Sequence, residues 1–122
     1  MTEWKPISIE EIYDKIHNLE KDSYGELFNF WQLIKIDPTK WIEKQFGEEG
    51  GGFWAVAVCG TKVIWFNDIE DGFNISDYKT YGQIEVYNCN QDELSFAVSR
   101  LLDLIKFGGD LIGQASQPIN LT

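Results

Sequence analysis

GGGFWAVAVCGTKVIWFNDIEDGFNIS, residues 50–76, holds two short and almost wholly apolar runs, Phe53 to Cys59 and Lys62 to Phe66, separated by Gly60-Thr61. Valine, isoleucine and aromatic side chains suit a pleated backbone, and a two-residue break containing glycine marks a close turn. The stretch therefore reads as a hairpin of two strands. In an extended chain Trp54, Val56 and Val58 point one way, and Phe53, Ala55 and Ala57 the other. Both sets are apolar, whereas a strand wet on one face alternates apolar and polar residues. Either both faces of the hairpin are covered, or one is covered and the other is a binding surface. The chemistry then changes to Asn67-Asp68-Ile69-Glu70-Asp71-Gly72, an acidic loop at the edge of the core.

Upstream, Glu48-Glu49-Gly50-Gly51-Gly52 leads into the hairpin. It carries neither Gly-Lys-Ser/Thr nor the G-x-G-x-x-G spacing, and its two glutamates would repel phosphate, so a close-packed turn is the better reading. Asp37-Pro38 has the form of an N-cap followed by proline at the first helical position. It predicts a helix that carries Trp41, Ile42 and Phe46 inward and stops at Gly47. Glu26 to Ile36 is too densely apolar for either period to stand out; helix to Trp31 and an extended ending before Asp37-Pro38 is the reading adopted. Pro6 to Asp22 reads as a helix, with Ser8 and Glu11 as a capping box. Its apolar stripe is Ile9, Ile12, Tyr13, Ile16 and Leu19, with Asp14, Lys15, Asn18 and Lys21 facing water. His17, the single histidine, flanks that stripe.

Downstream, Asn67 to Gly82 reads as loop, and the alternation of Gln83 to Tyr87 predicts a third strand. Asn90 with Glu93 predicts a capped helix whose stripe is Leu94, Ala97, Val98, Leu101, Leu102 and Ile105, ended by Gly108-Gly109. The tail, residues 110–122, has few apolar residues to hold it down. The expectation is one α+β domain over residues 1–122. Its small, mainly antiparallel sheet, the hairpin plus a third strand, is covered by helices from Ser8, Asp37 and Asn90.

A chain of 122 residues is long enough for a real hydrophobic core. No apolar run approaches the roughly 20 residues that cross a bilayer, and the N-terminus lacks the pattern of a signal peptide, so a cytoplasmic location is expected. Cys59 and Cys89 make neither a disulfide framework nor a metal site and are read as reduced. The net charge of −10 and pI near 4.4 speak against nucleic acid and anionic lipid as partners and favour a basic protein. The same surplus of acid also keeps a protein soluble.

Asp68, Glu70 and Asp71 offer oxygen ligands, but an EF-hand register with Gly72 at its sixth position puts Ile69 and Tyr78 where acids are needed. No metal and no cofactor is assigned. Cys59 or Cys89 with His17 is the one cysteine–histidine pairing on offer, and no G-x-S-x-G motif is present, so no catalytic constellation emerges. Interface chemistry fits better. From Asn67 to Glu93 there are seven acids against one base, Lys79, interleaved with aromatics. The expected partner-binding residues are Asp68, Glu70, Asp71, Asp77, Tyr78 and Tyr81, with Trp65 and Phe73 assigned to the core.

The acidic-aromatic stretch WFNDIEDGFNISDY (residues 65–78), with the small size, low pI and helix–hairpin–helix order, resembles the small acidic immunity proteins that bacteria make against their own toxins. The resemblance is one of pattern, with no motif that aligns residue by residue. It implies a non-catalytic protein that covers the basic active surface of a toxin or enzyme with its own acidic one. A small-ligand domain with an aromatic-lined pocket is the alternative, and an enzyme of unassigned reaction comes third.

Overall fold

The hairpin forms where the two apolar runs place it. β2 (Phe53–Cys59) and β3 (Lys62–Asn67) pair antiparallel, with Cys59 opposite Lys62 and Gly60 at φ 60° in the turn. The computed structural model describes residues 5–44 and 51–108. Around the hairpin it sets α1 (Ile9–Asp22), α2 (Gly25–Ile34), β1 (Lys35–Trp41), β4 (Gly72–Asp77) and α3 (Leu94–Phe107). The strands form one antiparallel meander in the order β1-β2-β3-β4, so the architecture is α+β with four strands rather than three. Among the described residues no helix is long and apolar enough to cross a membrane.

Both faces of the hairpin are buried, each against a different layer. On one, Val56, Ala57, Ile64, Phe66, Phe73 and Ile75 meet the helices through Ile12, Ile16, Trp31, Ala97, Val98 and Leu101. A bulge between Ala55 and Ala57 turns Val56 and Ala57 to this same side. On the other face Phe53, Ala55, Val63 and Trp65 pack with Trp41 and Ile84, bordered by Val58, Tyr78 and Tyr87. Trp54 and Val58 are half-buried, while Val56, Ile64 and Leu101 are fully enclosed.

α1 keeps the expected cap but begins at Ile9: Glu11 N donates to Ser8 Oγ, and Ser8 N donates to Glu11 Oε1, both at 3.2 Å. The boundary between α2 and β1 falls between Ile34 and Lys35, near the expected change from helix to extended chain. At the α1–α2 junction Trp31 Nε1 donates to Glu20 Oε2 at 2.8 Å. That bond, followed by the Lys35 ammonium, holds the Glu20 carboxyl below the usual range.

Several expectations fail. The helix predicted from Asp37 is β1. Asp37 gives its carbonyl to Thr39 Oγ1 at 2.8 Å, and Pro38 sits where the register shifts between Lys35 and Thr39. A proline at an irregularity of an edge strand removes no ladder bond that is needed. Phe46 and Gly47 lie outside the described residues, as does the tail 110–122. The loop predicted over Asn67 to Gly82 contains β4, whose Asn74 and Ser76 are buried. Gln83 to Tyr87 is not a strand: apart from one bridge, Ile42 to Gln83, it runs irregularly, with Ile84 buried and Val86 exposed. Its Val86 O is met by a side chain instead, accepting from Ser76 Oγ at 2.9 Å. The last helix starts at Leu94 rather than at Asn90, because Asn90 is bonded through its backbone to the side chain of Asn74. Leu102 is half-buried and Ile105 exposed, so the buried stripe of α3 ends at Leu101.

Candidate functional site

The six residues read as a partner surface divide between the two ends of β4. Asp68, Glu70 and Asp71 occupy the turn from β3 to β4; Asp77 ends the strand on the far side, with Tyr78 and Tyr81 after it. Six steps of extended chain separate Asp71 from Asp77 by about 20 Å.

At the first end, Asn67 organises the turn: its Oδ1 accepts from Ile69 N at 3.1 Å and Glu70 N at 3.2 Å. Asp71 closes it at φ 61°, a left-handed conformation that aspartate tolerates better than most residues. Gly72 has no room for a side chain, since a Cβ there would overlap the backbone of Asn90 and Gln91. Asp68 turns inward. Its Oδ2 accepts from Ile7 N at 2.8 Å, and Trp54 Nε1 donates to Ile7 O at 3.1 Å, so the segment before α1 is tied to the sheet. Burial pushes the Asp68 carboxyl up, against the Ile7 hydrogen bond that lowers it.

At the other end, Asp77 pairs with Lys62 at 2.6 Å, and Tyr78 donates its hydroxyl to Gly60 O at 2.8 Å. Tyr81 is exposed and lies against Trp41, ring centroids 4.8 Å apart, while Tyr78 meets Trp41 edge-on at 5.0 Å. These tyrosines are therefore fastened to the second core, and Tyr81 offers the more open surface.

A groove of about 510 Å³ opens beside the first end, between α1, the β3–β4 turn and the start of α3. Its floor is the pair Phe66 and Phe73, ring centroids 4.8 Å apart. Around it stand Asp22 and Lys15 from α1, Asp71 from the turn, and Asp92 and Glu93 before α3, four carboxylates against one ammonium. Asp92 is neutralised by Arg100 at 2.7 Å. Asp22, Asp71 and Glu93 make no hydrogen bond or ion pair through their carboxylates among the described residues. Lys15 lies over the Phe66 ring, its Nζ 5.1 Å from the centroid. Such a site suits a cationic group: acids supply the field and an aromatic face supplies contact.

Of the expected residues only Asp71 lines this groove. The sequence pattern puts Lys15 and Asn18 on the water-facing side of the first helix and Glu93 in the capping box of the last; the structure brings all three to the groove. The available signal was that Asp92-Glu93 belongs to the same run of seven acids and adjoins an apolar helix. Among the described residues no group of three or more His, Cys, Asp or Glu is placed to hold a metal ion. His17 is exposed on α1, Cys59 half-buried at the end of β2, and Cys89 exposed. Compared with protein-family models, curated proteins and solved structures, the chain matches none of them.

Proposed function

We propose that this domain is a non-catalytic binder of a basic protein and that the groove beside the β3–β4 turn is its contact. The carrying observation is that Asp22, Asp71 and Glu93, from three separate elements, line one groove over an aromatic floor and make no ion pair among the described residues, Lys15 in the same groove included. Unpaired like charges repel one another, and a cationic surface relieves that repulsion while gaining attraction. The net charge of −10 adds long-range steering toward the same class of partner and away from nucleic acid and anionic membranes.

The finer reading follows the resemblance to toxin-immunity-type proteins: the partner is a toxin or enzyme with a basic cleft, blocked in the cytoplasm. A small-ligand role has less support. Three of the five tryptophans, Trp31, Trp41 and Trp65, are fully buried in the two cores, and the groove's rim is charged.

The test is affinity capture from the native host at low salt, with the wild type beside an Asp71→Lys, Glu93→Lys variant. Retention of one basic protein by the wild type, its loss in the variant, and faster loss of on-rate than gain of off-rate with salt are expected. Equal retention by both proteins would defeat the reading.

A further inference from the structure

We infer that the groove receives an arginine side chain of the basic partner, which takes the position over Phe66 that Lys15 holds in the free protein. The inference rests on the basic-partner reading and names the group that is recognised. Phe66 is only 3% exposed, and the Lys15 ammonium lies across its ring. That ammonium makes no ion pair among the described residues, although Asp22, Asp71 and Glu93 line the same groove. The chain thus already seats a cation on the aromatic floor and leaves the carboxylates unneutralised.

Lysine is a strongly hydrated point charge on a flexible stem, and α1 holds it only from one side. A guanidinium arriving from outside is planar, stacks on an aromatic face, and presents five donors to carboxylates standing on several sides. It therefore uses both halves of the site, where Lys15 uses one. Phe66 is held edge-on by Phe73, its cross-strand partner, so the floor needs no rearrangement when the cations exchange. An anion at the start of α3 is disfavoured by the same three carboxylates.

The experiment is a backbone-amide NMR titration of the full chain at low salt with N-acetyl-arginine amide. N-acetyl-lysine amide and N-acetyl-norleucine amide serve as controls. Shifts are expected at Asn18, Phe66, Asp71, Gln91 and Glu93, weaker with the lysine probe and absent with norleucine. Lys15→Met, checked for an unchanged melting temperature, removes the resident cation and should bind the arginine probe roughly three- to tenfold more tightly. Asp71→Asn with Glu93→Gln should weaken it by a similar factor. Lys15→Met binding no more tightly than the wild type would overturn the exchange. Shifts confined to Asp77, Tyr78 and Tyr81 would overturn the groove but leave the basic-partner reading standing. Failure of the arginine probe at every site, with charge-dependent capture intact, would likewise sink this inference alone; failure of both would sink both.

Discussion

The two faces of the sheet are buried by different means. On the helical face, apolar side chains from α1, α2 and α3 cover Val56, Ile64, Phe66, Phe73 and Ile75, and the backbone polar groups of the helices are satisfied within each helix. The opposite face is covered by an irregular strap, residues 78–92, that has no ladder of its own. Side chains do that work. Asn67 Nδ2 donates to Asn88 O at 2.9 Å, Asn74 Nδ2 to Asn90 O at 3.1 Å, and Asn90 N to Asn74 Oδ1 at 2.8 Å. Ser76 Oγ accepts from Trp65 Nε1 at 2.9 Å and from Asn88 Nδ2 at 3.2 Å. An irregular segment can cover a sheet face when asparagine and serine of the sheet stand in for a neighbouring strand.

Large truncations should break the contrast if the two faces fold as one unit. Trp65→Ala removes the centre of the strap-side core and is expected to cost about 3–5 kcal/mol, and Leu101→Ala on the helical side about 2–5 kcal/mol. Denaturant unfolding followed by far-UV circular dichroism and by tryptophan fluorescence should give coincident transitions for both. Separate transitions in Trp65→Ala would mean that the strap side melts alone.

A smaller change sharpens the difference. Asn74→Ala leaves Asn90 N–H and C=O without their partners and is expected to cost about 1–3 kcal/mol. Hydrogen exchange should then show loss of protection concentrated in residues 84–92, with α1 and α2 little changed. Uniform loss would make Asn74 an ordinary core contributor.

The smallest expected effects are in pH dependence, and they have opposite signs. Asp68 has its carboxyl raised by burial, so its contribution is full below the ordinary aspartate value and is lost as pH rises through the folded value. Asp68→Asn should flatten that part of the stability profile. Glu20 is depressed by the Trp31 indole, so its contribution is present above the ordinary glutamate value and is lost as pH falls through the folded one. Glu20→Gln should lessen the acid-side loss. Melting temperatures taken from below the ordinary aspartate and glutamate values up to neutral pH check both, and equal slopes in variants and wild type would discard the assignment.

The difference between the faces also explains what could be read from the chain. The β2–β3 hairpin and α1 were legible because their signals are local: dense apolar runs about a glycine, and Ser8 with Glu11 before a helical stripe. β4 was hidden because Asn74 and Ser76 look solvent-bound until their partners, which lie 10 to 16 residues away, are known. Asp37-Pro38 begins a helix as naturally as it sits in an irregular edge strand, and pairing with β2 decides between them. In the groove, Asp71 was legible as an exposed turn acid. Lys15 and Asp22 belong to a distant helix and reach the site only through tertiary packing, which no periodicity encodes.

Both margins of the meander are guarded, and this bears on how the chain survives its own synthesis. The β1 margin carries Pro38 and a register shift, and at the β4 margin Phe73 N donates to Asp92 O at 2.8 Å. FWAVAVC and KVIWF have the β-branched and aromatic composition that favours association with copies of themselves when left uncovered. The β4 guard and the strap are translated after both windows. A nascent chain that has emerged only as far as Tyr81 therefore shows an open strand margin and bare tryptophans. In that interval the surplus of carboxylates, by mutual repulsion between neighbouring chains, is the protection against aggregation that the molecule already has.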